Sequence, residues 1–389
     1  MDTETQIILE GKPHKKIKNE LKEESEESFF KFDDLKKYFY IAIPIVLLIC
    51  LILFFFLKND TSNNSTNFSN NKITLNGFEE FHVNEFDENA LLKYKQQQKD
   101  FCDNQEKYLI REYEDKLELA NVSFLSQLFT MYVYKNDDYV SKEILMMENW
   151  KGDETNNLLT ALIFYSSLKR LTRENIYVLD IGSNVGWYSL FIARYGYNIL
   201  SFEPSNVNYY ISKKNYCLNT ELNITFINKG LYSEDRNCDL YTNSQNVGDG
   251  YVLCDNVNNL VNLSKTGEAS LTKLSNYETF LINHNLGLVK IDSQGCDGKI
   301  IEGGIKLVTK YRVPFIFLEF RPESLIQHGT NPRDFLKLFL KNGYKIAWYN
   351  FFSDDYLSID EIMERTNGSM SLYIVDSRTI KKYHQKYNL

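Results

Sequence analysis

Apolar residues follow two rhythms along this chain, and one stretch has no rhythm because nearly every position in it is apolar. That stretch is residues 38–57. Fifteen of its twenty residues are Leu, Ile, Val or Phe, none is Asp, Glu, Lys, Arg or His, and Lys36, Lys37 and Lys58 bracket it. A helix of this length spans about 30 Å, the thickness of a bilayer's hydrocarbon core. Its side chains contribute about −0.3 to −0.6 kcal/mol each on the insertion scale, enough to outweigh Pro44. The run starts late, is long, and has no small-residue exit before Lys58, so it reads as an uncleaved anchor rather than a signal peptide.

Beyond residue 126 the rhythm alternates between strand and helix. Short apolar runs predict strands at 129–134, 142–147, 176–181, 198–202, 224–228, 288–291, 315–318, 344–349 and 370–375. Helical spacing predicts helices over 154–169, 187–195, 206–219, 299–311 and 332–342, the last stopped by Gly343. Strands separated by helices imply a mostly parallel sheet covered on both faces. The last two strands, joined through 359–365, are expected to form an antiparallel edge. Between 229 and 287 the pattern is less regular. Residues 77–125 carry a helical pattern between Leu91 and Leu119, which is either a stem helix or an N-terminal cap on the domain.

Four segments follow: a Lys- and Glu-rich cytosolic tail (1–37), the transmembrane signal anchor (38–57), a stem and helical lead-in (58–125), and an α/β domain (126–389). Lys22, Lys31, Lys36 and Lys37 precede the span, against Lys58 and Lys72 after it, which places the N-terminus in the cytosol. Acceptor sequons at Asn59, Asn63, Asn64, Asn67, Asn121, Asn223, Asn262 and Asn367 all follow the span, as a lumenal domain requires. Cys50 lies inside the span and five cysteines follow it, so at most two disulfides form within the domain, with Cys238 and Cys254 the favoured pair. The expectation is a single-pass type II membrane protein, in the Golgi for want of a Lys-Asp-Glu-Leu ending.

Composition narrows the class. Hydrophobic residues make up 43% and charged residues 25%, which excludes a fully disordered chain. The net charge of -8 argues against a nucleic-acid partner, whose phosphates are bound mainly by Lys and Arg.

Chemistry concentrates at three strand ends. After the strand at 176–181, Asp180, Gly182, Ser183, Asn184 and Gly186 form a loop that runs into a helix. Glycines let backbone turn tightly and approach a ligand, and an acid before the loop suits a cationic ligand rather than a phosphate. Glu203, followed by Pro204, ends the next strand about twenty residues on, where an acid accepts hydrogen bonds from ribose hydroxyls. The ligand is therefore an adenosyl nucleoside held without a phosphate grip, and S-adenosylmethionine, with its sulfonium and ammonium groups, fits. The third piece is 289–295, in which Lys290 and Asp292 share one strand face.

Together these motifs resemble the FkbM-type methyltransferases, which show V-L-D-I-G-x-N-x-G-x-Y-S, F-E-P and K-I-D-x-x-G. Here the matches are 178–189, 202–204 and 290–295. Asn228, Gly230 and Leu231 resemble the family's adenine-side motif, with Gly230 where Ala is more usual. The resemblance covers about 128–376 and implies a class I Rossmann-like methyltransferase fold and O-methylation of a hydroxyl, often on a sugar or natural product. Ser293 and Gln294 depart from the family's frequent Val-Glu, which bears on specificity or activity.

Asp292 is the first candidate base, although a charged Lys290 beside it would lower its pKa. Lys290 would serve instead if burial lowered its own pKa. Glu319 at the end of the next strand and His328 beyond it are alternatives. No cluster has metal-ligand spacing, so no metal is expected. The acceptor expected in a lumen is a glycan hydroxyl. Two other classes share this layout: a type II glycosyltransferase, which commonly carries an Asp-x-Asp triplet that is missing here, and a lumenal binding protein of the same fold without turnover.

Overall fold

The computed structural model describes residues 85–254 and 262–387. The expected tail, the apolar run at 38–57 and the Asn-rich stretch after it lie outside the described residues. No helix among the described residues is long and apolar enough to cross a membrane.

Helix α1 (Glu88–Asp103) is followed by a hairpin of β1 (Leu117–Phe124) and β2 (Gln127–Tyr134), then by α2 (Tyr139–Met147) and α3 (Gly152–Lys169). Strand and helix then alternate through β3 (Tyr177–Ile181), α4 (Trp187–Ala193), β4 (Asn198–Phe202), α5 (Asn206–Cys217) and β5 (Ile224–Ile227). Strands β6 (Gly230–Tyr232), β7 (Arg236–Asn243), β8 (Asn246–Leu253) and β9 (Leu263–Lys273) make a second sheet in the order β6-β9-β7-β8. The alternation resumes with α6 (Ser275–Asn283), β10 (Leu286–Ile291), α7 (Asp297–Gly303), β11 (Phe315–Phe320), α8 (Pro322–Gln327) and α9 (Pro332–Lys341). It ends with β12 (Tyr344–Ala347), α10 (Ile359–Arg365), β13 (Met370–Asp376) and α11 (Ser377–Tyr387).

The main sheet runs β12-β13-β11-β10-β3-β4-β5. Its strands β11, β10, β3, β4 and β5 are parallel, and β13 is antiparallel to both of its neighbours. The reversed strand is thus one place in from the edge, which β12 occupies. Period-two alternation divides the strand residues between two cores. Leu179, Ile181, Leu200, Phe202, Val289 and Ile291 face one, while Val178, Ile199, Leu288, Phe315 and Phe317 face the other.

Three expectations change. Residues 142–147 lie in helix α2, not a strand: Asp138 caps it by accepting from the Ser141 amide at 2.7 Å, and Ile144 alone points fully inward from its middle turns. The pattern at 77–125 is no single helix. It gives α1, then β1, whose hairpin turns at Leu125 and Ser126 with φ of 45° and 63°, so a boundary at 126 would cut the hairpin. Helix α1 is a cap on the domain. Its Gln98 side chain donates to Ile224 O at 2.9 Å and accepts from Phe226 N at 2.7 Å, covering the exposed edge of β5 as a further strand would. The irregular stretch at 229–287 holds the second sheet and α6.

Cys238 pairs with Cys254 as expected, and a second disulfide, Cys102–Cys217, ties α1 to α5. Cys296 is a buried thiol.

Candidate active site

Three loops meet above the carboxyl ends of β3, β4 and β10. The first needs left-handed backbone at Gly182, Asn184 and Gly186, with φ of 73°, 53° and 89°. Glycine is required at 182 for space as well, since a Cβ there would lie 1.8 Å from the Asp292 carbonyl oxygen. Gly182 and Ser183 donate their amides to Phe202 O at 2.9 and 3.1 Å, fixing the loop to β4.

Glu203, buried at the end of β4, accepts from the amides of Asn184 (2.8 Å) and Ser205 (2.9 Å) and from Asn208 Nδ2 (3.4 Å). Burial outweighs these donors and pushes its carboxyl up to about 7. Asn228 Nδ2 donates to the Glu203 carbonyl at 2.9 Å, so it shapes the strand end from outside the cavity.

Asp180 does not reach the ligand space. It lies beneath the loop, 3.2 Å from Lys290 Nζ, and accepts from Ser189 Oγ at 2.7 Å. Lys290 also donates to the carbonyls of Gly182 (2.6 Å) and Ile181 (3.3 Å). Burial works against the Lys290 charge, but Asp180 and Asp292 prevail and hold its pKa above the ordinary lysine value. Lys290 is therefore the counter-ion of Asp180 and a brace for the loop, and the lowered pKa that a lysine base would need is not found.

Asp292 does face the cavity. Burial raises its pKa and the opposing pull of Lys290 does not reverse this, so the expected lowering is overturned. Glu319 is a poorer base. Burial would raise it, but Arg321, bound through Nε at 2.7 Å, holds it below the ordinary value. Neither Glu319 nor His328 lines the cavity; His328 follows α8 with its ring nitrogens 3.7 and 3.8 Å from Cys296 Sγ. Ser183 and Gly186 lie behind the lining and shape the turn.

A partly open cleft lies above these strand ends. Of the expected residues, Gly182, Asn184, Glu203, Pro204, Gly230, Leu231 and Asp292 line it. The opposite wall was not foreseen. It comes from the second sheet as Gly248, Asp249, Gly250, Val252 and Leu271, with Cys296 and Ile300 at one side. The Gly-Asp-Gly triplet at 248–250 is the one sequence signal for it, an acid flanked by two residues that let backbone come close. Burial is the main cause that pushes Asp249 up to about 7, and Asp292 adds to it.

The sequence profile of the methyltransferase FkbM domain matches residues 180–346. No curated protein sequence matches the chain. Among solved structures it is similar to the bifunctional kinase-methyltransferase WbdD, at 12% identity over 58% of this chain and 39% of that one, with a TM-score of 0.33. A structure of WbdD with a kinase inhibitor gives 14% identity and a TM-score of 0.32; this chain spans 40% of its length. It is also similar to an SAM-dependent methyltransferase from Agrobacterium tumefaciens, at 9% identity over 67% of this chain and 70% of that one, with a TM-score of 0.34.

Proposed function

We propose that this chain, whose residues 180–346 match the methyltransferase FkbM domain, is an S-adenosylmethionine-dependent enzyme that methylates a hydroxyl of a glycan in the lumen of the secretory pathway, anchored by residues 38–57. The observation that carries the cofactor is the sign of the cavity. Glu203, Asp249 and Asp292 line it and, among the described residues, no Lys, Arg or His does. Such a cleft repels a nucleoside diphosphate and attracts a sulfonium and an ammonium.

The cleft also divides by polarity as the ligand would need. Leu231, Val252, Leu271 and Ile300 offer apolar surface for an adenine, and Glu203 offers carboxylate lone pairs for ribose hydroxyls. When bound, S-adenosylmethionine supplies a methyl carbon made electrophilic by its sulfonium. Holding the acceptor oxygen behind that carbon provides most of the acceleration, about 7–11 kcal/mol where alignment is good. Asp292 receives the acceptor proton as the oxygen–methyl bond forms, and its raised pKa makes it a better base than a solvated aspartate.

Two disulfides suit an oxidising compartment, and the sequon residues Asn121, Asn223, Asn262 and Asn367 are exposed, which supports the lumenal reading.

Calorimetric titration of the full-length chain in detergent tests the cofactor, with micromolar S-adenosylmethionine binding expected and none by UDP- or GDP-sugars. Folded protein that ignores S-adenosylmethionine would sink the proposal. Asp292→Asn should keep that binding and lose about 10²- to 10⁴-fold in kcat. Methylated glycans persisting unchanged in cells without the protein would remove the glycan as acceptor.

A further inference from the structure

The cation-binding carboxylate expected at Asp180 is already spent on Lys290, which leaves open which acid meets the positive charges of the cofactor. The acids lining the cleft are three. Glu203 is engaged by three donors at the ribose end, and Asp292 stands where the acceptor proton must go. Asp249 remains. Among the described residues no group donates a hydrogen bond to its carboxylate, and its electrostatic neighbours are Asp292, Arg321, Asp138 and Glu319, which places it at the Asp292 end of the cleft. Arg321 bonds Glu319 through Nε at 2.7 Å and acts on Asp249 only through its charge, which lowers the Asp249 pKa without reversing the rise caused by burial.

Strand β8 is built into the site. The Gly248 carbonyl accepts from Asn208 Nδ2 at 2.8 Å and from Asn184 Nδ2 at 3.2 Å. Those are the two residues that also donate to Glu203, one of them through its backbone. The Tyr139 amide donates to Asn246 Oδ1 at 3.0 Å and the Val247 amide to Asp137 O at 2.7 Å. A Cβ on Gly248 would lie 2.2 Å from Asp138 Oδ1, so glycine permits this close docking. Asp249 is thereby held on a strand tied at Gly248 to the glycine loop and α5, and at Asn246 and Val247 to residues 137–139 at the start of α2.

We propose that Asp249 is a cofactor-binding residue whose carboxylate pairs with the positively charged methionine moiety of S-adenosylmethionine, the role the glycine-loop aspartate cannot fill here. This rests on reading the cleft as the S-adenosylmethionine site. Asp249 then does two things: it anchors the amino-acid end of the ligand, and it distinguishes charged adenosyl ligands from neutral ones.

The test is calorimetric titration of full-length wild type, Asp249→Asn and Asp249→Glu with three probes. These are S-adenosylmethionine, S-adenosylhomocysteine, and 5′-methylthioadenosine, which keeps the nucleoside and lacks both charges. Loss of one charge-assisted contact predicts about 10- to 100-fold weaker S-adenosylmethionine binding by Asp249→Asn. Methylthioadenosine should bind that variant as it binds wild type, which also reports an intact cleft, and Asp249→Glu should recover part of the loss. A parallel loss for S-adenosylhomocysteine assigns the contact to the ammonium; a loss confined to S-adenosylmethionine assigns it to the sulfonium. Wild-type S-adenosylmethionine affinity retained within about twofold in Asp249→Asn overturns the inference, as does an equal loss for methylthioadenosine. Absence of S-adenosylmethionine binding by wild type overturns the underlying function instead.

Discussion

Asp180 on β3 lies directly opposite Lys290 on β10 in the parallel register, and both side chains are buried. Two charges taken out of water persist only as a pair, and removing one member leaves the other uncompensated at about 3–5 kcal/mol. Lys290→Met should therefore lower the unfolding free energy in urea by about that amount, and adding Asp180→Asn should return part of it. A Lys290→Met chain as stable as wild type would show that the pair carries no structural weight. Spacing within one strand places Lys290 and Asp292 on the same face, and that much is legible from the sequence. The partner of Lys290 is not, because it depends on which strands are neighbours and in what register. The same limit explains why Glu203 and Asp292 are found by motif while Asp249, with no motif around it beyond two glycines, is not.

Elements differ in how plainly their residues announce them. Strands buried on both faces, such as β3 and β10, are unbroken apolar runs ending in a glycine-rich or acidic loop, and they are read correctly to within a residue or two. Strand β7 buries only Cys238 and Leu240 fully, so its alternation drowns among polar positions and the second sheet escapes a pattern search. Helix α2 is misread for the opposite reason: its Ile-Leu-Met-Met run looks like a strand until the capping Asp138 is taken into account. The weakly patterned sheet relies on a covalent clip. Cys238–Cys254 joins β7 to β8 across 16 residues, a loop for which chain entropy gives about 3 kcal/mol. Replacing both by Ser should cost about that much in denaturant and also weaken S-adenosylmethionine binding, since β8 carries the far wall of the cleft. Removing Cys102–Cys217, which closes 115 residues, should cost more stability, nearly 5 kcal/mol, while leaving cofactor affinity unchanged. Calorimetry on the two double variants separates these effects; unchanged affinity in the Cys238–Cys254 variant would detach β8 from the site.

For the whole molecule, the acids of the cleft set opposite pH trends for stability and for ligand binding. Glu203, Asp249 and Asp297 are each pushed up to about 7, mainly by burial, and Asp292 is raised as well. A carboxyl whose folded pKa lies above its unfolded value stabilises the fold below the unfolded value. That contribution disappears as pH rises through the folded one. Between pH of about 4 and about 7 the ligand-free protein should therefore lose stability, at up to about 1.4 kcal/mol per pH unit for each group while it titrates. Glu319, held low by Arg321, acts in the other direction at acid pH, and Lys213, whose pKa burial pushes well below the ordinary lysine value, also acts in the other direction and offsets part of the loss. At about 2–4 °C per kcal/mol for a domain of this size, the apo melting midpoint at about pH 5.5 should exceed that at about pH 8 by several degrees. Asp297→Asn, which lies outside the cleft lining, should reduce the difference. A cationic ligand needs Asp249 ionised, so S-adenosylmethionine should bind more tightly as pH rises through about 7. The rise in melting midpoint that it produces should then grow from about pH 5.5 to about pH 8, while the rise produced by neutral methylthioadenosine should not follow Asp249. A stabilisation by S-adenosylmethionine that is flat or falls across that interval would mean that the acids of the cleft do not meet its charge.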